Sequence, residues 1–251
     1  IRPVMAAAGG NVRERFSGVL GTPDAAASLP GQLARLQFAA GALAYPADVA
    51  TYQEGGRVCL ALGRPRFRDA ALQQACTRQG AAAAWAQAFA RFGDDAVHQA
   101  AGRFCVVMVA DDGREALLAT DRFGTWPICY AARDGRLHFS DRADTVPGVE
   151  RRVAPQAVFE YLFFHMIPAP RTIFRQVCRL PAAHGLLVDR QGVRVIRHWP
   201  LQFDEQHRPS FDGARDEFRQ LIRDSVAAQV AGHQRVGAFL SGGTDSSTVA
   251  G

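Results

Sequence analysis

Apolar and polar positions follow two rhythms along this chain, and the switches between them predict its elements. Phe16 to Leu20 is a short apolar run that predicts a strand. Leu29 to Leu43 is rich in Ala and Leu, carries Pro30 near its start, and predicts a helix. Arg57 to Leu62 predicts a strand. Asp69 to Thr77 and Ala81 to Phe92 return to helical spacing, with Trp85, Phe89 and Phe92 on one stripe. Phe104 to Ala110, Glu115 to Thr120, Trp126 to Ala131 and Leu137 to Ser140 read as strands. Asp112-Gly113 and Asp134-Gly135 fall between apolar runs, a strong hairpin signal. A meander of at least four strands is therefore expected over 104–140.

Beyond it, Ala154 to Met166 predicts a helix stopped by Pro168 and Pro170. Gly185 to Asp189 and Val193 to His198 predict short strands. Residues 202–210 are polar and read as a linker. Phe211 to Val230 predicts an amphipathic helix, with Phe218, Leu221, Ile222, Val226 and Val230 on one face. Val236 to Leu240 reads as a buried strand, and Thr248 to Ala250 as the first turn of a helix. The implied organisation is an irregular extension over 1–15, a domain over 16–203, and the start of a second domain over 204–251. The start at Ile1 and the stop at Gly251 suggest a longer natural protein.

Composition narrows the classes. The 251 residues are 48% hydrophobic with a net charge of +5, and all 29 basic residues are Arg. They are scattered, without the runs or aromatic interleaving of a nucleic-acid surface, so no nucleic-acid partner is expected. No stretch is long and apolar enough to span a membrane, and no secretory leader is visible. The five cysteines are odd in number and lack paired spacing. Neither a disulfide framework nor a zinc site is expected, and a reducing cytoplasmic setting fits.

The candidate chemistry lies at the end of the chain. Leu240 is followed by Ser241, Gly242, Gly243, Thr244, Asp245, Ser246 and Ser247. Glycines let backbone N–H groups approach a ligand closely, and a helix start adds unpaired donors and partial positive charge. The serines add hydroxyl donors. Asp245 repels a phosphate, so its expected task is to hold Mg²⁺. The pattern resembles the SGGxDS signature of the ATP-pyrophosphatase (PP-loop) enzymes, which transfer AMP from ATP to an oxygen.

Further pieces appear in the order of the asparagine synthetase family. Gly102-Arg103-Phe104 resembles its "GxFA" strand. Asp121-Arg122-Phe123-Gly124, with Pro127 and Tyr130, resembles "RDRxGxxPLYY". Phe139-Ser140 resembles "FASE", and Thr172-Ile173-Phe174 with Leu180-Pro181 and His184-Gly185 resembles "TxF…LPPGH". Trp199 resembles the "YW" closing the first domain, and Gly237 to Ser247 resembles "GxxLSGGxDSS". The resemblance covers most of 16–251. It implies an α+β, N-terminal-nucleophile-type αββα sandwich of the type 2 glutamine amidotransferases. The start of an α/β PP-loop domain is implied after it.

The first domain's catalytic parts depart from the family. Its nucleophile is a free N-terminal Cys in a "CGIxG" strand, whose own α-amine acts as base. The counterpart here is Ser17-Gly18-Val19-Leu20-Gly21, preceded by sixteen residues. The "NGEIYN" turn reads Gly63-Arg64-Pro65-Arg66-Phe67-Arg68, without the amide donor of an oxyanion hole. The "SDxE" acid falls in Gly80 to Ala84, where there is none. The Arg of "RLxI" has no counterpart between Gly41 and Thr51. Ser17 is thus a nucleophile by position only, and the glutaminase half reads as inactive. Asp121-Arg122 reads as an ion pair ordering a turn, His165 as a packed histidine, and His184 as a loop-positioning residue.

The resemblance implies an amide-forming carbon–nitrogen ligase like asparagine synthase. It would activate a carboxylate as an acyl-adenylate and release AMP and pyrophosphate. ATP and Mg²⁺ would be held by Leu240, Ser241, Gly242, Gly243, Asp245, Ser246 and Ser247, with the metal on Asp245. A small-molecule or peptide carboxylate and an amine or ammonia donor complete the partner set, and a homodimer is left open. The 251 residues alone are expected to be inactive. Lactam or macrolactam formation, as in β-lactam synthetases and lasso-peptide cyclases, is the alternative chemistry. A PP-loop synthetase acting on a nucleotide or tRNA is another, and a non-catalytic binding or scaffold module is the alternative class.

Overall fold

The computed structural model describes residues 16–29, 33–47, 49–232 and 234–251; the extension expected over 1–15 lies outside them. The chain divides between Pro200 and Leu201 into two compact units.

The first unit contains two six-stranded antiparallel sheets. Its strands are β1 (Ser17–Leu20), β2 (Ala34–Phe38), β3 (Gly41–Tyr45), β4 (Ala50–Glu54), β5 (Arg57–Phe67), β6 (Ala100–Ala110), β7 (Ala116–Thr120), β8 (Cys129–Arg133), β9 (Arg136–Ser140), β10 (Cys178–Arg179), β11 (His184–Asp189) and β12 (Gly192–Arg197). One sheet runs β10-β8-β9-β1-β3-β2 and the other β12-β11-β7-β6-β5-β4. Helices α1 (Ala70–Gln79), α2 (Ala81–Phe92) and α3 (Pro155–Phe164) complete the unit. This is the α+β sandwich that the resemblance implies.

Residues alternate between the faces of a strand, so β5 and β6 each feed two cores. Val58, Leu60 and Leu62, with Cys105, Val107 and Val109, join Leu20, Leu43, Leu137 and Phe139 of the other sheet in the central core. Cys59, Ala61, Phe104 and Val106 point the other way, into the cluster built by Leu72 of α1 and Ala84, Trp85 and Ala88 of α2. Burial on both faces explains the unbroken apolar run over 104–110. Trp85 packs between Phe67 and Phe104, with ring centroids 5.1 and 4.9 Å away. Asp69 caps α1 by accepting from Ala71 N at 2.9 Å and Leu72 N at 3.0 Å.

Three expectations are corrected. The helix expected over Leu29–Leu43 is replaced, across its described residues 33–43, by the β2–β3 hairpin, and β3 also pairs with β1 (Ser17↔Ala44, Leu20↔Gly41). Tertiary pairing overrides the helix propensity of Ala and Leu. A Cβ at Gly41 would fall 2.8 Å from the Val19 carbonyl oxygen, so the close approach to β1 requires glycine. The strands of 104–140 do not form one meander. β6 and β7 belong to one sheet, β8 and β9 to the other, and residues 121–128 cross between them. Finally, β5 does not turn at Gly63 but continues to Phe67 against β6. Pro65 is tolerated because β4 pairs only as far as Ala61, leaving that stretch on an edge.

Helix α3 leaves a row of large apolar side chains exposed. Phe159, Tyr161, Leu162, Phe163 and Phe164 are each more than half exposed, whereas Ala157 and Glu160 are buried. His165 is likewise exposed, in a left-handed C-cap, and not packed as expected.

The second unit holds α4 (Phe211–Val230) and α5 (Thr244–Ala250). Ser210 caps α4 through Gly213 N. The strand expected over Val236 to Leu240 is not formed: these residues are irregular, and Phe239 is 99% exposed. A strand needs neighbours for its N–H and C=O groups, and no described residue pairs with this segment.

Candidate functional site

Ser17 opens β1 between two strands, opposite Ala44 of β3 and Ser140 of β9. Its nitrogen is a peptide nitrogen, bonded to the buried Phe16. Its hydroxyl is fully buried and makes no hydrogen bond among the described residues. Among the described residues no base is hydrogen-bonded to it, and its nitrogen is an amide in this chain. The polar groups nearby serve the preceding carbonyl instead. Ser140 Oγ donates to the Phe16 oxygen at 3.0 Å, and Asp141 N donates to it at 3.3 Å. Thr145 Oγ1 lies 2.7 Å from Ser140 Oγ and completes a short hydroxyl chain.

The segments that stand at the family's other catalytic positions are occupied as follows. Gly63 holds φ +86°, and a Cβ there would meet the Arg103 oxygen at 2.3 Å, so this glycine serves β5–β6 pairing. Ala82, Ala83 and Ala84, where the family acid falls, are buried apolar residues of α2. Cys129, across the ladder from Ser140, is a buried thiol pushed up to about 12 by desolvation, so it is protonated and inert.

The crossover at 121–128 is organised by Asp121, but not by the ion pair expected with Arg122. The buried Asp121 carboxylate accepts from Phe104 N at 3.1 Å, Phe123 N at 2.9 Å and Thr125 Oγ1 at 3.2 Å. Arg122 lies over the Trp199 ring, 5.0 Å from its centroid. His184 Nδ1 is 2.8 Å from the Ala182 oxygen, within the loop it was expected to position. His198 is buried against the same crossover, its Nε2 2.9 Å from the Thr120 oxygen. Burial pushes its pKa below the ordinary value, and the neighbouring His98, His184 and Arg122 act in the same direction.

In the second unit, Ser241 to Ser247 form an exposed bend entering α5. Gly242 has φ +80° and a Cβ there would meet nothing within 4 Å. Ser241 Oγ lies 3.1 Å from Ser246 Oγ, and Ser246 and Ser247 both donate to the Gly243 oxygen, at 3.1 and 3.0 Å. The first intrahelical donor is Ser247 N, which reaches the Gly243 oxygen at 3.2 Å. The amides of Thr244, Asp245 and Ser246 precede it and have no intrahelical acceptor. The Asp245 side chain makes no hydrogen bond or ion pair among the described residues. Leu240 is 68% exposed before the bend. The seven residues of the expected nucleotide site are thus close together along the chain; six are exposed, Ser246 is half-buried, and none is fully buried.

The model of the glutamine amidotransferase domain family matches residues 68–199, more than half of the chain. The chain belongs to this family. The asparagine synthase family model matches residues 217–251. Asparagine synthetase [glutamine-hydrolyzing] 3 of Bacillus subtilis is 30% identical over 161 residues, which are 62% of this chain and 26% of that protein. A putative asparagine synthetase of Methanocaldococcus jannaschii is 29% identical over 59% of this chain and 30% of its own length. The chain therefore spans less than a third of the curated relatives it matches. Among solved structures, a glutamine phosphoribosylpyrophosphate amidotransferase of B. subtilis aligns at 12% identity and a TM-score of 0.40, over 90% of this chain and 53% of that one.

Within this amidotransferase domain, sequence reasoning missed the Ser140–Asp141–Thr145 group around the Phe16 carbonyl. The pattern offered one signal, a polar Ser-Asp pair directly after the buried Phe139. Only the antiparallel register of β9 against β1 brings that pair to Ser17.

Proposed function

We propose that this chain is the front part of an ATP-dependent, amide-forming ligase in which the amidotransferase domain has kept its fold and lost its glutaminase. The observation that carries the reading is Ser17: a buried hydroxyl without a hydrogen-bonded base, joined through its nitrogen to Phe16. A hydroxyl with an unperturbed proton is a weak nucleophile toward an amide. The relatives' names include glutamine hydrolysis; this chain departs from their family at the residue such hydrolysis needs.

The C-terminal bend supports the synthetase half. Displacing hydroxide from a carboxylate is slow, and transfer of AMP from ATP supplies a good leaving group in its place. The requirement is stabilisation of charge on the departing pyrophosphate by donors already oriented. Ser241, Gly242, Gly243, Ser246 and Ser247 carry the amides and hydroxyls for that, and Leu240 would lie near the adenosine. The unpaired Asp245 carboxylate would hold Mg²⁺, which when bound neutralises phosphate charge. The amine would come from the medium or from the acid substrate itself.

The test is pyrophosphate exchange into ATP by the full-length protein, with L-aspartate as the first carboxylate offered. The reading predicts exchange that depends on a carboxylate and disappears in Asp245→Ala. Exchange that survives this substitution would overturn the assigned role of Asp245.

A further inference from the structure

The end of the sandwich remote from Ser17 carries an open cleft of about 450 Å³ between the hairpin ends of the two sheets. Ser17 and Leu20 mark opposite ends of β1, about 10 Å apart for a strand of that length. Leu20, Leu137, Val188 and Val193 give the cleft an aliphatic floor, and Arg114, Arg133, Arg136 and Arg190 line it with guanidinium groups. Asp189 is the one carboxylate in the lining, and its charge is already engaged by Arg194 and by Gln191 N. Arg133 donates to the neutral Gln176. Arg114, Arg136 and Arg190 form no ion pair among the described residues.

Four cations gathered around an apolar floor repel one another, and the one carboxylate in the lining, Asp189, is already engaged. Guanidinium groups have the fork geometry that matches phosphate, sulfonate or carboxylate oxygens. The turns at Gly135 and Gly192 border open space, since a Cβ at either would meet nothing within 4 Å. We propose that this cleft binds an amphiphilic anion, its apolar body on the Leu20–Leu137–Val188 floor and its phosphate or carboxylate head held by Arg133, Arg136 and Arg190. The site is independent of glutamine chemistry and of the C-terminal nucleotide bend.

Isothermal titration calorimetry of the full-length protein with n-octyl phosphate and n-octanol tests it. The expected result is saturable binding of the phosphate with one site per chain and no comparable binding of the alcohol. The doubly substituted Arg136→Gln/Arg190→Gln protein should bind at least about tenfold more weakly, since it loses two charge-assisted contacts. Both arginines are exposed, so the variant should keep the wild-type circular dichroism. Ser246→Ala should leave octyl phosphate binding unchanged. The proposal is overturned by absent binding, by equal binding of octanol, or by affinity kept within about twofold in the Arg variant. Loss of binding in Ser246→Ala would also overturn it, by moving the phosphate to the C-terminal bend.

Discussion

Ser140 Oγ donates to the carbonyl oxygen of Phe16 at 3.0 Å, across the β1–β9 ladder. Ser140 thereby secures the peptide bond preceding Ser17. Ser140 is fully buried, so Ser140→Ala leaves the Phe16 oxygen with Asp141 N alone and the Thr145 hydroxyl with only its longer bond to the Arg142 oxygen, at 3.3 Å. The substitution should cost about 1–3 kcal/mol, read from urea denaturation. A loss below about 0.5 kcal/mol would show that the hydroxyl chain is not structural.

Ser17→Ala should behave in the opposite sense. It removes a buried hydroxyl that satisfies no partner, so no hydrogen bond is lost and an unmet desolvation penalty is relieved. Stability should stay within about 1 kcal/mol of wild type or rise. A marked destabilisation would mean that the Ser17 hydroxyl has a partner after all.

Stability should fall between pH 7 and pH 5. His198 and His138 are pushed below their ordinary pKa of 6.5, in both cases chiefly by burial, with Arg133 and Arg136 adding to the effect on His138. The unfolded chain takes up protons near pH 6.5 while the folded chain stays neutral, so lower pH favours unfolding. The carboxylates held low, Asp69, Asp144 and Asp189, start from 3.8 and titrate below this window. His198→Gln should flatten the urea midpoint against pH over this range. An unchanged slope would remove His198 from the account of acid sensitivity.

The exposed face of α3 makes a separate prediction. Phe163 is 68% exposed, and its ring contacts among the described residues are with Phe159 and Phe164 of its own helix. Phe163→Ser should change the unfolding free energy of the 251-residue chain by no more than about 0.5 kcal/mol. A loss of several kcal/mol would mean that this face is covered.

Local pattern carried most of the fold. α1, α2, α4 and the hairpin β6–β7 follow from periodicity and turn residues, because those signals are local. The exchange of strands between sheets at 121–128 was not legible. It depends on the buried Asp121 carboxylate tying Phe104, Phe123 and Thr125 together, a contact between distant positions. The β2–β3 hairpin was hidden by Ala and Leu, whose helix preference yields to pairing with β1. Val236 to Leu240 has the composition of a core strand, but composition cannot supply the neighbouring strands. Of the candidate site, the C-terminal bend is read from sequence as a motif because its residues are neighbours along the chain. The support for the Phe16 carbonyl is not, since Phe16 and Ser140 lie 124 residues apart.

The most direct measurement is release of glutamate from L-glutamine by the full-length protein, compared with its Ser17→Ala variant. A silent amidotransferase domain predicts the same background rate in both, with Phe16 still attached to Ser17 by mass spectrometry. Glutamate release well above background in the wild type and absent in Ser17→Ala would contradict it.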